Sequence, residues 1–140
     1  MAYSLTDQFR GLRTTLRLNG FVLGWGGGAL LLCLPQSQLQ AAGVAVAGVL
    51  WPIRLAGALL ISLGCLFLYA ASERVISPAA AFAAVISHSL LAIVLLLAYL
   101  QREFTELTLG GLAILLAVFL LCLIGAITPL RYLRGGYRNL

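Results

Sequence analysis

Charged residues are scarce in this chain of 140 residues, and lysine is absent altogether. The four acidic side chains are Asp7, Glu73, Glu103 and Glu106. None of them lies inside a long apolar run, whereas a proton-coupled transporter needs a charge embedded in the membrane. The sequence also lacks the Walker, HExxH, GxSxG and GxGxxG patterns that mark common catalytic and nucleotide sites. We therefore expect no catalytic residue.

Cysteine is also sparse, and all three cysteines fall inside apolar runs. They are Cys33, Cys65 and Cys122. The odd number and the lack of a CxxC pair argue against a redox pair and against a zinc site. Free cysteines in such surroundings commonly act as small hydrophobic residues. We expect no metal site and no cofactor that belongs to this chain alone.

Apolar sequence is abundant, since 62% of the residues are hydrophobic and 9% are charged. Soluble domains average about 45–50% apolar and about 25% charged residues. Long apolar runs cover residues 16–34, 53–71, 78–100 and 107–130. A spanning helix needs about 20 such residues, and its backbone groups must be satisfied within the segment. The sequence predicts one all-α membrane domain over residues 1–140, with four transmembrane helices in an antiparallel bundle.

Two segments outside the spans have their own character. Residues 3–17 place leucines and a phenylalanine on one helical face and arginines on another, which is typical of an amphipathic helix in the membrane interface. This N-terminal helix could be a simple anchor or could dock on a partner protein. Residues 35–52 begin polar and end at Trp51, which suits an interfacial position. We expect this external linker to be a loop or short helix along the membrane surface.

The arginines are distributed unevenly between the two predicted sides of the membrane. Seven lie on the side of both termini, and only Arg54 and Arg102 lie on the other. The positive-inside rule then places both termini in the cytoplasm. No soluble domain carries a basic face, so we expect no nucleic-acid partner. Interfacial, lipid or partner contacts are predicted for Arg10, Arg13, Arg17, Trp51, Arg54, Arg131, Arg134 and Arg138.

Glycines recur at helical spacing in the first two apolar runs. Gly20, Gly24 and Gly28 are four residues apart, and Gly57 and Gly64 are seven apart. Stripes of small residues let membrane helices approach closely. The two stripes therefore predict helix packing. Their spacing does not distinguish packing within this chain from packing against a partner.

His88 is the only histidine and lies near the middle of the third run. Ionisable residues inside a membrane are functional hypotheses by default, but polar side chains also join helices through hydrogen bonds. Two interpretations stay open at this point. His88 could be a neutral imidazole that forms a hydrogen bond with a backbone carbonyl or a serine across a helix pair. Alternatively, it could be a single axial ligand to a haem or chlorophyll at a subunit boundary.

The layout of the chain resembles that of small four-helix bacterial membrane proteins. The resemblance lies in Pro35 after the first run, the external linker, and Arg54 followed by Gly57 at the start of the second run. In size, topology and lack of chemical motifs the chain also resembles accessory membrane subunits of bacterial electron-transfer assemblies, such as alternative complex III. This implies a bacterial inner-membrane location, and other membrane subunits and lipids as partners.

The sequence is compatible with three functions. The first is a non-catalytic accessory subunit of a larger membrane complex, respiratory or photosynthetic. The second is a free-standing, small oligomeric transporter or channel. The third is a cofactor-holding subunit that uses His88.

Overall fold

The computed structural model describes residues 10–41, 50–73, 75–103 and 109–136, and no strand occurs among them. Four of the helices are long and apolar enough to span a membrane, which confirms the predicted all-α membrane fold. The helices are α1 (Arg10–Cys33), α2 (Gln36–Ala41), α3 (Trp51–Ser72), α4 (Pro78–Leu100) and α5 (Leu109–Gly136).

Prolines lie at the start of α4 and inside α5. Helix α4 starts at Pro78, where the missing N–H is one that has no intrahelical partner. The hydroxyl of Ser77 caps this helix by accepting a hydrogen bond from the Ala80 N–H at 3.2 Å. Helix α5 passes through Pro129 and ends at Gly136, beyond the predicted end at residue 130. Prolines are tolerated in membrane helices because neighbouring groups compensate for the lost hydrogen bond.

The end of α4 forms a Schellman motif. Arg102 has a φ of 59°, and its N–H donates to the Tyr99 carbonyl at 3.1 Å. The Glu103 N–H donates to the Ala98 carbonyl at 3.1 Å. This pair of bonds satisfies carbonyl groups in the last turn of the helix. It requires a residue in the left-handed conformation just after the helix end, and that residue is usually glycine. Here an arginine occupies the position.

The central part of α1 is wound as a π-helix. It covers Gly20–Gly27 and lies between two α-helical stretches of the same helix. π-helical segments usually last a single turn and often mark functional sites. The sequence predicted a helix here but not this winding.

The four long helices form an antiparallel bundle of two pairs. Helix α1 packs along α3, and α4 packs along α5, while the start of α1 also contacts α5. The larger core lies where both described chain ends meet, and we call this the termini end. The opposite end, at Arg54 and Gln101, is called the linker end. The buried residues of the larger core are Leu12, Leu16, Phe67, Ala70, Ala71, Ile76 and Ala84.

The described part of the predicted interfacial helix belongs to the bundle. Residues 10–17 are continuous with the rest of α1, and Leu12 and Leu16 are buried in the core of the protein. The apolar stripe therefore packs against other helices here, which is why this part does not form a separate surface helix. Residues 3–9 lie outside the described residues. Within the predicted linker the structure describes α2, whose Leu39 is buried, and residues 42–49 are not described.

Candidate functional site

Polar side chains from α1 and α4 meet in the interior of the bundle. Asn19 and His88 are each only 2% exposed. Both contact the backbone of Gly125 in α5. A Cβ atom added to Gly125 would lie 2.7 Å from His88 Nε2 and would overlap Asn19 Nδ2. Three helices that are far apart in the sequence are therefore joined at one point, and a glycine is needed there for lack of space.

The His88 ring is held on two sides. Its Nδ1 lies 2.7 Å from the Ala84 carbonyl, one turn earlier in α4. A carbonyl oxygen only accepts, so Nδ1 is the donor and Nε2 is the acceptor of the neutral ring. Phe67 of α3 stacks on the imidazole, with 5.1 Å between ring centroids and 19° between planes. Through Asn19, Phe67, His88 and Gly125, all four long helices meet at this level.

The Asn19 amide has no hydrogen-bond partner at either Oδ1 or Nδ2. A buried polar group left unpaired costs about 1–3 kcal/mol. A cavity of about 10 Å³ adjoins the amide and is also lined by Gly24, Gly64, Phe67 and His88. That is close to the smallest space, roughly 10–15 Å³, that holds one water molecule. The donors and acceptors around it suit a single water, not a larger ligand.

The predicted haem or chlorophyll contact does not fit this geometry. An axial ligand at a subunit boundary must direct Nε2 out of the bundle, but Nε2 of His88 faces Gly125 inside it. The neighbouring cavity of about 10 Å³ is far too small for a macrocycle. The described residues contain no group of three His, Cys, Asp or Glu side chains that could hold a metal ion. The hydrogen bond of His88 goes to a backbone carbonyl, but to one in its own helix and not across a helix pair. The ring joins helices through packing, because it stacks on Phe67 of α3 and lies against Gly125 of α5.

The five predicted packing glycines lie in one interface between α1 and α3. A Cβ atom at Gly64 would lie 2.8 Å from Gly24 Cα. A Cβ at Gly28 would lie 2.7 Å from the Gly57 carbonyl oxygen, and one at Gly20 would lie 3.1 Å from the Gly64 carbonyl oxygen. The two backbones are therefore in direct contact. Both glycine stripes are used within this chain and do not offer a free face to a partner.

Two arginines cap helix ends at opposite ends of the same interface. Arg54, near the start of α3, donates from Nη1 to the Leu31 carbonyl at 3.3 Å and from Nη2 to the Leu34 carbonyl at 3.0 Å. Arg13, near the start of α1, donates from Nη2 to the Glu73 carbonyl at 2.8 Å. The last carbonyls of a helix lack intrahelical donors and carry partial negative charge. These bonds lie within the chain, in contrast to the lipid or partner contacts predicted for Arg13 and Arg54.

The other residues predicted for interfacial contacts lie on the outside of the bundle where they are described. Trp51 is 68% exposed. Arg10, Arg17, Arg131 and Arg134 are exposed as well. Their lipid or partner contacts stay predictions. Arg138 lies outside the described residues.

We call the group of Asn19, Phe67, His88 and Gly125 the polar centre, and of these four only His88 was predicted as a site residue from the sequence. An asparagine inside an apolar run is a detectable signal, because a buried amide needs partners. Phe67 and Gly125 carry no such signal, since both residue types are common in membrane helices. No protein-family model, curated protein or solved structure matches this chain.

Proposed function

We propose that this protein is a non-catalytic accessory subunit of a larger membrane protein complex. One observation carries the proposal, which is the poor coverage of α5 by the rest of the chain. Only 11% of an 18-residue apolar stretch of α5 is buried inside the protein, compared with 22–28% for the corresponding stretches of the other three long helices. Yet α5 is the most apolar of the four. A large apolar helix face is therefore available to other membrane subunits.

The uncovered face contains a groove between α4 and α5 at the linker end. The groove has a volume of about 360 Å³. Its lining residues are Leu95, Leu96, Tyr99, Leu112, Leu115, Leu116 and Phe119. Lipid tails are as apolar as leucine, so membrane helices associate through close packing of complementary shapes. A row of side chains from a partner helix fits a recess of this kind.

The rest of the bundle is suited to a supporting role. The glycine interface and the arginine caps hold α1 and α3 together within the chain. The polar centre is enclosed, with a cavity of only about 10 Å³. Among the four long helices, α5 is the least covered, so we assign the contact to the α4–α5 pair. A bacterial electron-transfer assembly, the class that the layout resembles, is the complex in which we would look first.

The test is extraction of native membranes in mild detergent, followed by native electrophoresis and mass spectrometry of the band that contains this chain. We expect it to migrate with a larger assembly. Leu116→Trp fills the groove and should release the chain. Leu59→Trp is the matched control, because Leu59 is 63% exposed on α3 and lies outside the groove.

One result would overturn the accessory role, and another would overturn only the assignment of the groove as its contact. Migration alone or as a small homo-oligomer would favour the transporter or channel hypothesis, which transport assays in proteoliposomes would then address. Retention of Leu116→Trp at the native stoichiometry would show that the groove is not the contact.

A further inference from the structure

A second groove lies at the termini end, between the start of α4 and the last turns of α5. It has a volume of about 650 Å³, within the range of roughly 300–1,000 Å³ that is usual for ligand sites. Its lining residues are Pro78, Ala79, Phe82, Val85, Leu130, Leu133 and Arg134. Arg134 is the only charged member of this set. Phe82 is 58% exposed and Leu130 is 39% exposed, so the described part of the chain leaves the apolar floor open.

The polar and apolar parts of this groove are arranged along the membrane normal. Arg134 lies one turn beyond the predicted apolar run 107–130, near the end of α5, so we place its guanidinium where the membrane core gives way to headgroups. From Pro78 to Val85 the apolar floor follows two turns of α4, about 10 Å at 1.5 Å per residue. A positive charge therefore lies at the surface, and an apolar trough leads from it into the membrane. A phospholipid has the same polarity along its length.

The charge around the groove favours an anionic occupant. Arg131 is exposed one turn before Arg134, and Arg10 and Arg17 are exposed at the same end of the bundle. Glu73 is the only acidic residue described at that end. An arginine guanidinium stays charged and matches the geometry of a phosphate. Basic pockets between membrane helices are known recognition sites for anionic lipid headgroups.

We propose that this groove binds an anionic glycerophospholipid. One acyl chain lies in the trough between Phe82, Val85 and Leu133, and the phosphate pairs with Arg134. This lipid site does not depend on the proposed accessory role, because the groove that we assign to other membrane subunits lies at the opposite end of the α4–α5 pair.

The test uses the full chain in nanodiscs that contain phosphatidylglycerol and phosphatidylcholine with the same acyl chains. After extraction in mild detergent, the retained lipids are counted by native mass spectrometry. We expect the wild-type protein to retain phosphatidylglycerol in preference to phosphatidylcholine. Arg134→Gln should lower that preference about fivefold, the contribution of one basic residue near an anionic surface.

Two further variants separate the headgroup from the acyl chain. Val85→Trp fills the trough and should reduce retention of both lipids, and Leu133→Trp is the substitute if the first variant does not fold. Arg131→Gln is the matched control, because it removes the same charge from the same helix end outside the groove. It should lower the preference clearly less than Arg134→Gln does, because Arg131 adds to the positive charge near the groove but does not line it.

Several outcomes would overturn the proposal. Equal retention of both lipids by the wild type would remove the anionic preference. An equal effect of Arg131→Gln and Arg134→Gln would show that diffuse charge is responsible. Displacement of phosphatidylglycerol by inorganic phosphate would indicate an anion site without a role for the acyl chain.

Discussion

Gly24 and Gly64 bring the backbones of α1 and α3 into direct contact at the middle of their interface. A Cβ atom at Gly24 would overlap the Cα of Gly64, and it would lie 3.0 Å from the Gly64 nitrogen and 3.1 Å from the Leu60 carbonyl oxygen. All of these atoms belong to the backbone of α3, so no side-chain rotation can make room. The contact depends on glycine at both positions.

Gly24→Ala should therefore destabilise the isolated protein. Overpacking of a close interface costs about 1–3 kcal/mol, and here the helices must move apart. The measurement is unfolding of the purified chain in detergent, followed by circular dichroism. Gly11→Ala is the control on the same helix, because an added Cβ there meets nothing within 4 Å. Equal stability of the two variants would contradict the close contact.

The polar centre makes a similar prediction for α5. Gly125→Ala should lower stability by about 1–3 kcal/mol, because the new methyl group would meet the His88 ring. That ring is fixed by the Ala84 carbonyl and by Phe67, so it cannot turn away. Gly110→Ala, on the same helix and with nothing within 4 Å of the added Cβ, should leave stability unchanged or raise it. If both alanine variants had the same free energy of unfolding, the close contact between Gly125 and His88 would be contradicted.

The spanning helices and the glycine stripes could be predicted from sequence because both depend on local patterns. Hydropathy identifies a span from about 20 consecutive residues. The four-residue spacing of Gly20, Gly24 and Gly28 places them on one helix face in the same way. The spacing alone does not decide whether the glycine stripes pack against each other or against a partner, because that depends on how α1 and α3 are rotated about their axes.

The polar centre and the helix caps could not be predicted because they depend on long-range geometry. Asn19, His88 and Gly125 are brought together by the rotation and height of three helices. Arg54 reaches Leu34 because α3 starts beside the end of α1, a relation that the linker sequence does not reveal. The π-helical winding of Gly20–Gly27 also changes which side of α1 faces its neighbours.

The cap formed by Arg54 predicts a loss of stability without a loss of apolar packing. Arg54→Gln should lower the free energy of unfolding by about 1 kcal/mol, since a cation at a helix C-terminus contributes about 0.3–2 kcal/mol. Arg54→Lys should recover only part of this, because an ammonium group lacks the planar fork that reaches two carbonyls. Chemical unfolding of the purified variants measures both effects. Arg17→Gln removes an exposed arginine of α1 and should be neutral. An Arg17 effect as large as that of Arg54 would argue for net charge and against the cap.

The left-handed backbone at Arg102 makes the opposite prediction, a gain in stability. With a φ of 59°, an arginine bears a clash between its Cβ and the backbone that costs roughly 1–2 kcal/mol. Arg102→Gly removes the clash and keeps the hydrogen bonds to Tyr99 and Ala98, so we expect stabilisation by about 1 kcal/mol. Arg102→Ala is the control, because it removes the same charge and long side chain but keeps the Cβ. Thermal unfolding of the three proteins should place only the glycine variant above the wild type. If the alanine variant were equally stabilised, the gain would come from loss of the arginine side chain, and the strain at this position would be disproved.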